Sequence, residues 1–282
     1  MDEIRGAGRA VVLGTHSDGS HSAGPFEVSS EKSKRYTVPV REATRKTYSD
    51  TVTESQGLRN KEVRHLRKSY LDWQEAKKIM GKNFIGPDEL SLIAGELSSA
   101  PMSTIPKVHY DAKVLKKAAK DYLLILGVVK MNDGKPMTLN NMRAHFGFDP
   151  AVSEPCFYNQ DWYCKEKFAD KATLKNKWYL IRKEVIKETR GVRPDVLLGK
   201  LKKGEQFPSA ILTAFAFFAY YFLHDGAFLW KHDFIWCSDK DKNGDRIYTG
   251  RYTDPKKINK NGFNIHRHLS IRPCYGVVTQ LS

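Results

Sequence analysis

The sequence predicts an α+β fold: a helical N-terminal half, and a C-terminal half of mainly antiparallel sheet around one buried helix. Three observations carry this. Apolar residues recur at three- and four-residue spacing across residues 58–80. Residues 209–223 form an uncharged apolar run. After it, two strand-like segments flank Asn243-Gly244, a dipeptide that tolerates the positive φ of tight hairpin turns. Residues 58–282 are read as one domain, with a helical subdomain over 58–120.

Residues 1–57 are rich in Gly, Ser and Thr and carry little apolar surface, for example in Gly14–Gly24. Such a segment cannot offset its ordering entropy, so a disordered arm is expected. Lys32, Lys34, Arg35, Arg41, Arg45 and Lys46 make its second half basic. It reads either as an arm laid along phosphates or as a solvated tail. Met1-Asp2-Glu3 is acidic and no apolar core follows, which is unlike a signal peptide.

In the first expected helix, Val63, Leu66, Tyr70, Trp73 and Met80 form the stripe and Gly81 suits the C-terminal cap. Gly86-Pro87-Asp88-Glu89 starts a second helix, expected to end near Leu97. The pair resembles a helix-turn-helix in spacing. Its second helix, however, carries Asp88, Glu89 and Glu96 and no Lys or Arg, so phosphate would repel it. Residues 98–106 are a linker, and 111–120 a helix with Val114, Leu115 and Ala118 inward. The nearly continuous apolar stretch 122–131 fits a buried strand, followed by an Asn132-Asp133-Gly134 turn. Thr138 is placed to cap a helix through Phe146.

The middle of the chain mixes rings with cations. Phe157, Tyr158, Trp162, Tyr163, Phe168, Trp178 and Tyr179 alternate with Lys165, Lys167, Lys171, Lys175 and Lys177. Aromatics among lysines suit single-stranded nucleic acid, because bases stack on rings while ammonium groups neutralise phosphates. The other reading is that the rings are core and the lysines cover its rim. Residues 177–186 alternate as a strand, and 199–204 are a lysine-rich link into the apolar run. That run would span roughly 22 Å as a helix, short of a ~30 Å bilayer core. It is read as a buried helix and not as a transmembrane segment, started by Pro208 and Ser209 and stopped by His224, Asp225 and Gly226. Basic residues return at Lys256, Lys257, Lys260, Arg267 and Arg272, and a last strand is expected over 265–271.

The segment Lys177-Trp178-Tyr179-Leu180-Ile181-Arg182-Lys183-Glu184, with Cys237-Ser238-Asp239 and Gly244-Asp245-Arg246, resembles a family of bacterial proteins of unknown function. The resemblance covers about the C-terminal two thirds. It implies a shared domain and no activity.

No catalytic signature stands out. There is no P-loop, no Gly-rich dinucleotide motif and no nucleophile elbow. Asp239, Asp241 and Asn243 have the spacing of a calcium loop, but the twelfth position is Gly250 where a bidentate Glu is needed. His224-Asp225 and His232-Asp233 resemble the ligand pairs of His-Asp metal phosphohydrolases, and His266 and His268 would share a strand face. A plainer reading is hydrogen bonding at element ends. Cys156, Cys164, Cys237 and Cys274 form no C-x-x-C pair, so reduced thiols in a cytoplasmic setting are expected.

Net charge is +15 and the sequence pI about 9.5. Such a surface attracts nucleic acid, an anionic membrane or an acidic protein. Three functional readings follow. The first is non-enzymatic nucleic-acid association through Trp162, Tyr163, Lys165, Lys167, Lys175, Lys177, Lys256, Lys257, Lys260 and Arg267, with no cofactor. The second is a metal-dependent hydrolase using His224, Asp225, His232 and Asp233. The third is a structural or assembly protein with a basic arm.

Overall fold

The computed structural model describes residues 70–252, 261–267 and 271–282. These fall within the compact unit Arg59–Ser282. The basic arm, residues 58–69 of the first expected helix, Lys256, Lys257, Lys260 and His268 lie outside the described residues.

The first described helix, α1 (Trp73–Met80), starts at Asp72, whose side chain accepts from Gln74 N. The chain before it pairs Leu71 with Val108 as an isolated bridge, so the expected helix does not run unbroken into Met80. Tyr70, assigned to the apolar stripe, is exposed, while Ala76 and Met80 are buried. Next come β1 (Phe84–Ile85) and α2 (Pro87–Leu92). In α2 the Glu89 carboxylate accepts from Gly86 N at 3.0 Å. The helix stops at Ile93, short of the expected Leu97.

Helix α3 (Ala112–Ala118) is capped by Asp111, and β2 (Tyr122–Leu126) is buried at every position. The strand ends sooner than the apolar stretch does. At Gly127 a Cβ would lie 2.4 Å from Lys175 O, so the chain there is pressed against another segment. Thr138 caps α4 (Leu139–Phe146) by accepting from Asn141 N. After α5 (Lys167–Asp170) comes β3 (Trp178–Arg182). It stops at Arg182 because its partner β2 begins opposite, at Tyr122. The alternation in residues 183–186 therefore has no β2 ladder to join.

Helix α6 (Pro194–Leu198) and β4 (Glu205–Gln206) lead to α7 (Ala210–Leu223). Ser209 is the N-cap of α7, so Pro208 precedes the cap rather than filling the first helical position. Residues Ala210 to Ala219 are all buried, and the last four are half-buried. Among the described residues no helix is long and apolar enough to cross a membrane. The hairpin strands β5 (Phe234–Lys240) and β6 (Arg246–Tyr252) meet at the Asn243-Gly244 turn, where Gly244 has φ 87°. Then come β7 (Gly262–Arg267), β8 (Tyr275–Gly276) and β9 (Gln280–Leu281).

Two sheets form. One has the order β1-β2-β3-β9-β4, the other β7-β6-β5-β8. All pairings are antiparallel except β1 with β2 and β5 with β8. The second sheet is covered on both faces. Ile235, Cys237 and Ile247 point into the main core with α7, while Trp236 and Tyr248 join a smaller cluster with Leu197, Phe207, Tyr275 and Val277. This is period-two alternation with two apolar sides, which reads in sequence as a plain hydrophobic run.

Candidate phosphate-binding face

The aromatic middle of the chain is core. Tyr163, Phe168, Trp178 and Tyr179 are buried, and the Trp178 indole donates to Pro106 O at 2.8 Å. Burial pushes the Tyr163 hydroxyl pKa up. Trp162 is half-buried, donates to Ile265 O at 3.1 Å and carries the Arg267 guanidinium 4.9 Å from its ring centre. Tyr163, proposed above for base stacking, therefore presents no ring to a ligand. The rings filled the interior because their buried area outweighs any benefit of keeping them wet. Lys165, Lys167 and Lys175 are exposed, and Lys177 is half-buried with its ammonium 4.8 Å from the Tyr179 ring centre.

The His-Asp pairs do not converge. The two ring nitrogens of His224 lie 3.1 Å from Tyr220 O and from Lys82 O, and the ring stacks on Tyr220. Both nitrogens thus face acceptors and not a metal. Asp233 is held by two hydrogen bonds from Arg190. Asp225 and His232 are exposed in the connection between α7 and β5. His266 stacks on Tyr248. Among the described residues no three His, Cys, Asp or Glu side chains are grouped to hold a metal.

The carboxylates of the hairpin serve the fold. The β5–β6 register shifts between Trp236 and Lys240, and Asp239 within that stretch accepts from Ala210 N at 2.6 Å. It thereby docks the start of α7 on the sheet. Burial pushes its carboxyl pKa up. Asp241 turns elsewhere. One oxygen accepts from Asn243 N and Asp245 N, each at 2.9 Å, and the other from Arg267 at 2.6 Å. Its side chain is fully buried, whereas that of Arg267 is 38% exposed. The calcium-like spacing thus sends its carboxylates to different partners.

The Asp241 cluster has a pH signature. Burial works to raise the Asp241 pKa, but the Arg267 bond and the two backbone N–H groups outweigh it and hold the carboxyl below the ordinary 3.8. A depressed native pKa contributes stability that is present above the unfolded value and lost as pH falls through the folded one. Asp241→Asn is expected to cost about 1–3 kcal/mol at pH 7 and to flatten the acid limb below pH ~4. Denaturant midpoints between pH 2 and 7 check this. An acid limb as steep in the variant as in the parent would contradict it.

A different surface gathers unpaired cations. A cleft of 310 Å³ lies between Arg193 and Asp195 on one side and Lys240, Asp245 and Arg246 of the hairpin on the other, with Trp236 in its lining. A second cleft, of 590 Å³, includes Lys202, Lys203, Glu205 and Ser238 and shares Arg246 with the first. The Lys202, Lys203 and Lys240 side chains are exposed and, among the described residues, make no hydrogen bond or ion pair. Among the described residues Arg193 pairs only with Asp195, at 3.7 Å, and both are largely exposed. Such a pair contributes little.

Arg246 sits at the junction with its orientation fixed. Its Nη1 donates to Cys237 O at 2.9 Å and Ser238 O at 3.2 Å, and the guanidinium lies 5.4 Å from the Phe207 ring centre. The only sequence signal for this face is the lysine run at 200–203. The hairpin residues that complete it lie some forty positions away. No family model matches the chain, and neither a curated protein nor a solved structure matches it, so the resemblance carried by residues 177–184 and the two hairpin motifs adds nothing to what this face supports by itself.

Proposed function

We propose that this protein associates with nucleic acid without catalysing a reaction, and that it contacts the phosphate backbone through the face that meets at Arg246. One observation carries the reading: Lys202, Lys203 and Lys240 are exposed cations without carboxylate partners among the described residues, set in two clefts joined by an oriented arginine. Unpaired ammonium groups are free to displace condensed counterions, which is the main driving force of backbone binding. The net charge of +15 steers a polyanion towards the chain. With Tyr163, Phe168, Trp178 and Tyr179 buried and Trp162 half-buried, the aromatic middle contributes mainly lysines, so weak base preference is expected. The four free cysteines suit a reducing compartment, and cytoplasmic residence belongs to the same reading.

Fluorescence anisotropy of single- and double-stranded DNA and RNA against salt tests this on the full chain. The triple variant Lys202→Ala, Lys203→Ala, Lys240→Ala should bind about ten- to a hundredfold more weakly near 100 mM salt. The slope of log K on log salt should fall by about 2 to 3. A second full-length variant neutralises Lys32, Lys34, Arg35, Arg41, Arg45 and Lys46. If only this one loses binding, the arm and not the cleft face contacts phosphate. If the parent binds nothing at ~50 mM salt, the nucleic-acid reading is wrong, and an acidic protein becomes the partner to seek.

A further inference from the structure

We infer that the cleft lined by Arg246 and Trp236 is a site for a single phosphoryl group, which on the reading above belongs to a nucleic-acid backbone. The inference rests on two buried donors that the fold leaves without acceptors. Trp236 is 2% exposed and, among the described residues, its indole N–H has no hydrogen-bond partner. The Arg246 Nε–H is likewise buried and unpartnered. Both residues line the same cleft. A buried polar group without a partner is a loss the native state seldom tolerates, and two around one concavity call for a common acceptor.

The charge around them says what kind. Among the described residues, Arg193, Lys240 and Arg246 stand against Asp195 and Asp245, an excess of one cation. Arg246 cannot turn away freely, because Cys237 O and Ser238 O hold its Nη1. Trp236 packs against two neighbouring rings, Tyr248 at 5.4 Å and Tyr275 at 5.9 Å, both edge-on. The cleft lining thus carries an indole and a guanidinium held by the sheet, with the exposed ammonium of Lys240 beside them. A tetrahedral oxyanion supplies acceptors to several donors at once, and a guanidinium matches phosphate geometry. The adjoining cleft with Lys202 and Lys203 provides the path for the neighbouring phosphates of a chain.

The test follows the indole N–H groups of the five tryptophans by nitrogen-15 NMR on the full chain. Trp236→Phe assigns the signal. Inorganic phosphate is titrated at constant ionic strength, with chloride as the control and a short single-stranded DNA as a parallel arm. The Trp236 indole signal should move saturably with phosphate and not with chloride. Lys240→Ala and Arg193→Ala should each weaken this by about tenfold while leaving the unliganded spectrum in place.

A shift with both phosphate and DNA supports the site and assigns it to the backbone. A shift with phosphate from a chain that anisotropy shows does not bind DNA supports the site for a free phosphate-bearing molecule, and overturns the nucleic-acid reading alone. DNA binding by anisotropy with Trp236 unmoved by either probe overturns this inference and leaves that reading standing. A Trp236 signal that responds to chloride as it does to phosphate also overturns it.

Discussion

Phe218→Ala is expected to lower stability by about 3–5 kcal/mol, a large share of a domain's total. The ring is fully buried in the middle of α7. It stacks on Phe146 of α4 at 3.9 Å and lies 5.1 Å from Phe157 and 5.9 Å from Phe263 of β7. These partners come from a second helix, a loop and the edge strand of the second sheet. None can move into the vacated space without leaving its own element, so the cavity stays open and its full cost is felt. Phe222, one turn later, is half-buried, and its alanine variant should lose clearly less. Urea midpoints at unchanged m-value measure both. A loss below ~1 kcal/mol for Phe218→Ala would mean that α7 is not the hub of this core. Should the variant fail to fold, Phe218→Leu gives the same ranking against Phe222→Leu.

Gly262→Ala is expected to cost about 3 kcal/mol or more, from backbone strain and collision together. Gly262 opens β7 with φ 139°, a conformation that L side chains rarely adopt. A Cβ there would lie 2.6 Å from Tyr158 N and 2.7 Å from Phe157 C. Both atoms are backbone and cannot swing aside. The approach is close because two hydrogen bonds cross it: Tyr158 N donates to Phe263 O and Phe263 N to Cys156 O, each at 2.8 Å. A methyl group must lengthen them or push β7 off its neighbour. Gly244→Ala separates the two causes. That glycine also has positive φ, at 87°, but a Cβ there would meet nothing within 4 Å. Strain alone should cost it about 1–2 kcal/mol. Thermal unfolding of the two variants compares them directly. Equal losses would remove collision as the reason for glycine at position 262.

What the sequence determined by itself were the features set by bonds between near neighbours. Thr138 caps α4 and Ser209 caps α7 because a hydroxyl reaches a backbone N–H three residues on, wherever the rest of the chain lies. Asn243-Gly244 turns the hairpin because Gly244 accepts positive φ. The uncharged run became a buried helix, and the α+β class followed from these periods. Long-range proximity decided everything else. Composition could not reveal that Tyr163 and Trp178 would be core while the lysines between them stayed outside. Nor could it reveal that β3 stops at Arg182, since the limit is the end of β2. Asp239 and Asp241 have the same chemistry and stand two positions apart. One holds the start of α7 and the other is locked to Arg267: Asp239 lies within the shifted stretch of β5, whereas Asp241 lies in the turn beyond it. The candidate site shows this most plainly. Arg193, Lys202 and Lys203 precede α7, Trp236, Lys240 and Arg246 follow it, and only the folding of the hairpin against that earlier segment makes them one face. Local geometry is encoded within a few residues, whereas a site assembled from distant segments exists only once the hydrophobic core has fixed their positions.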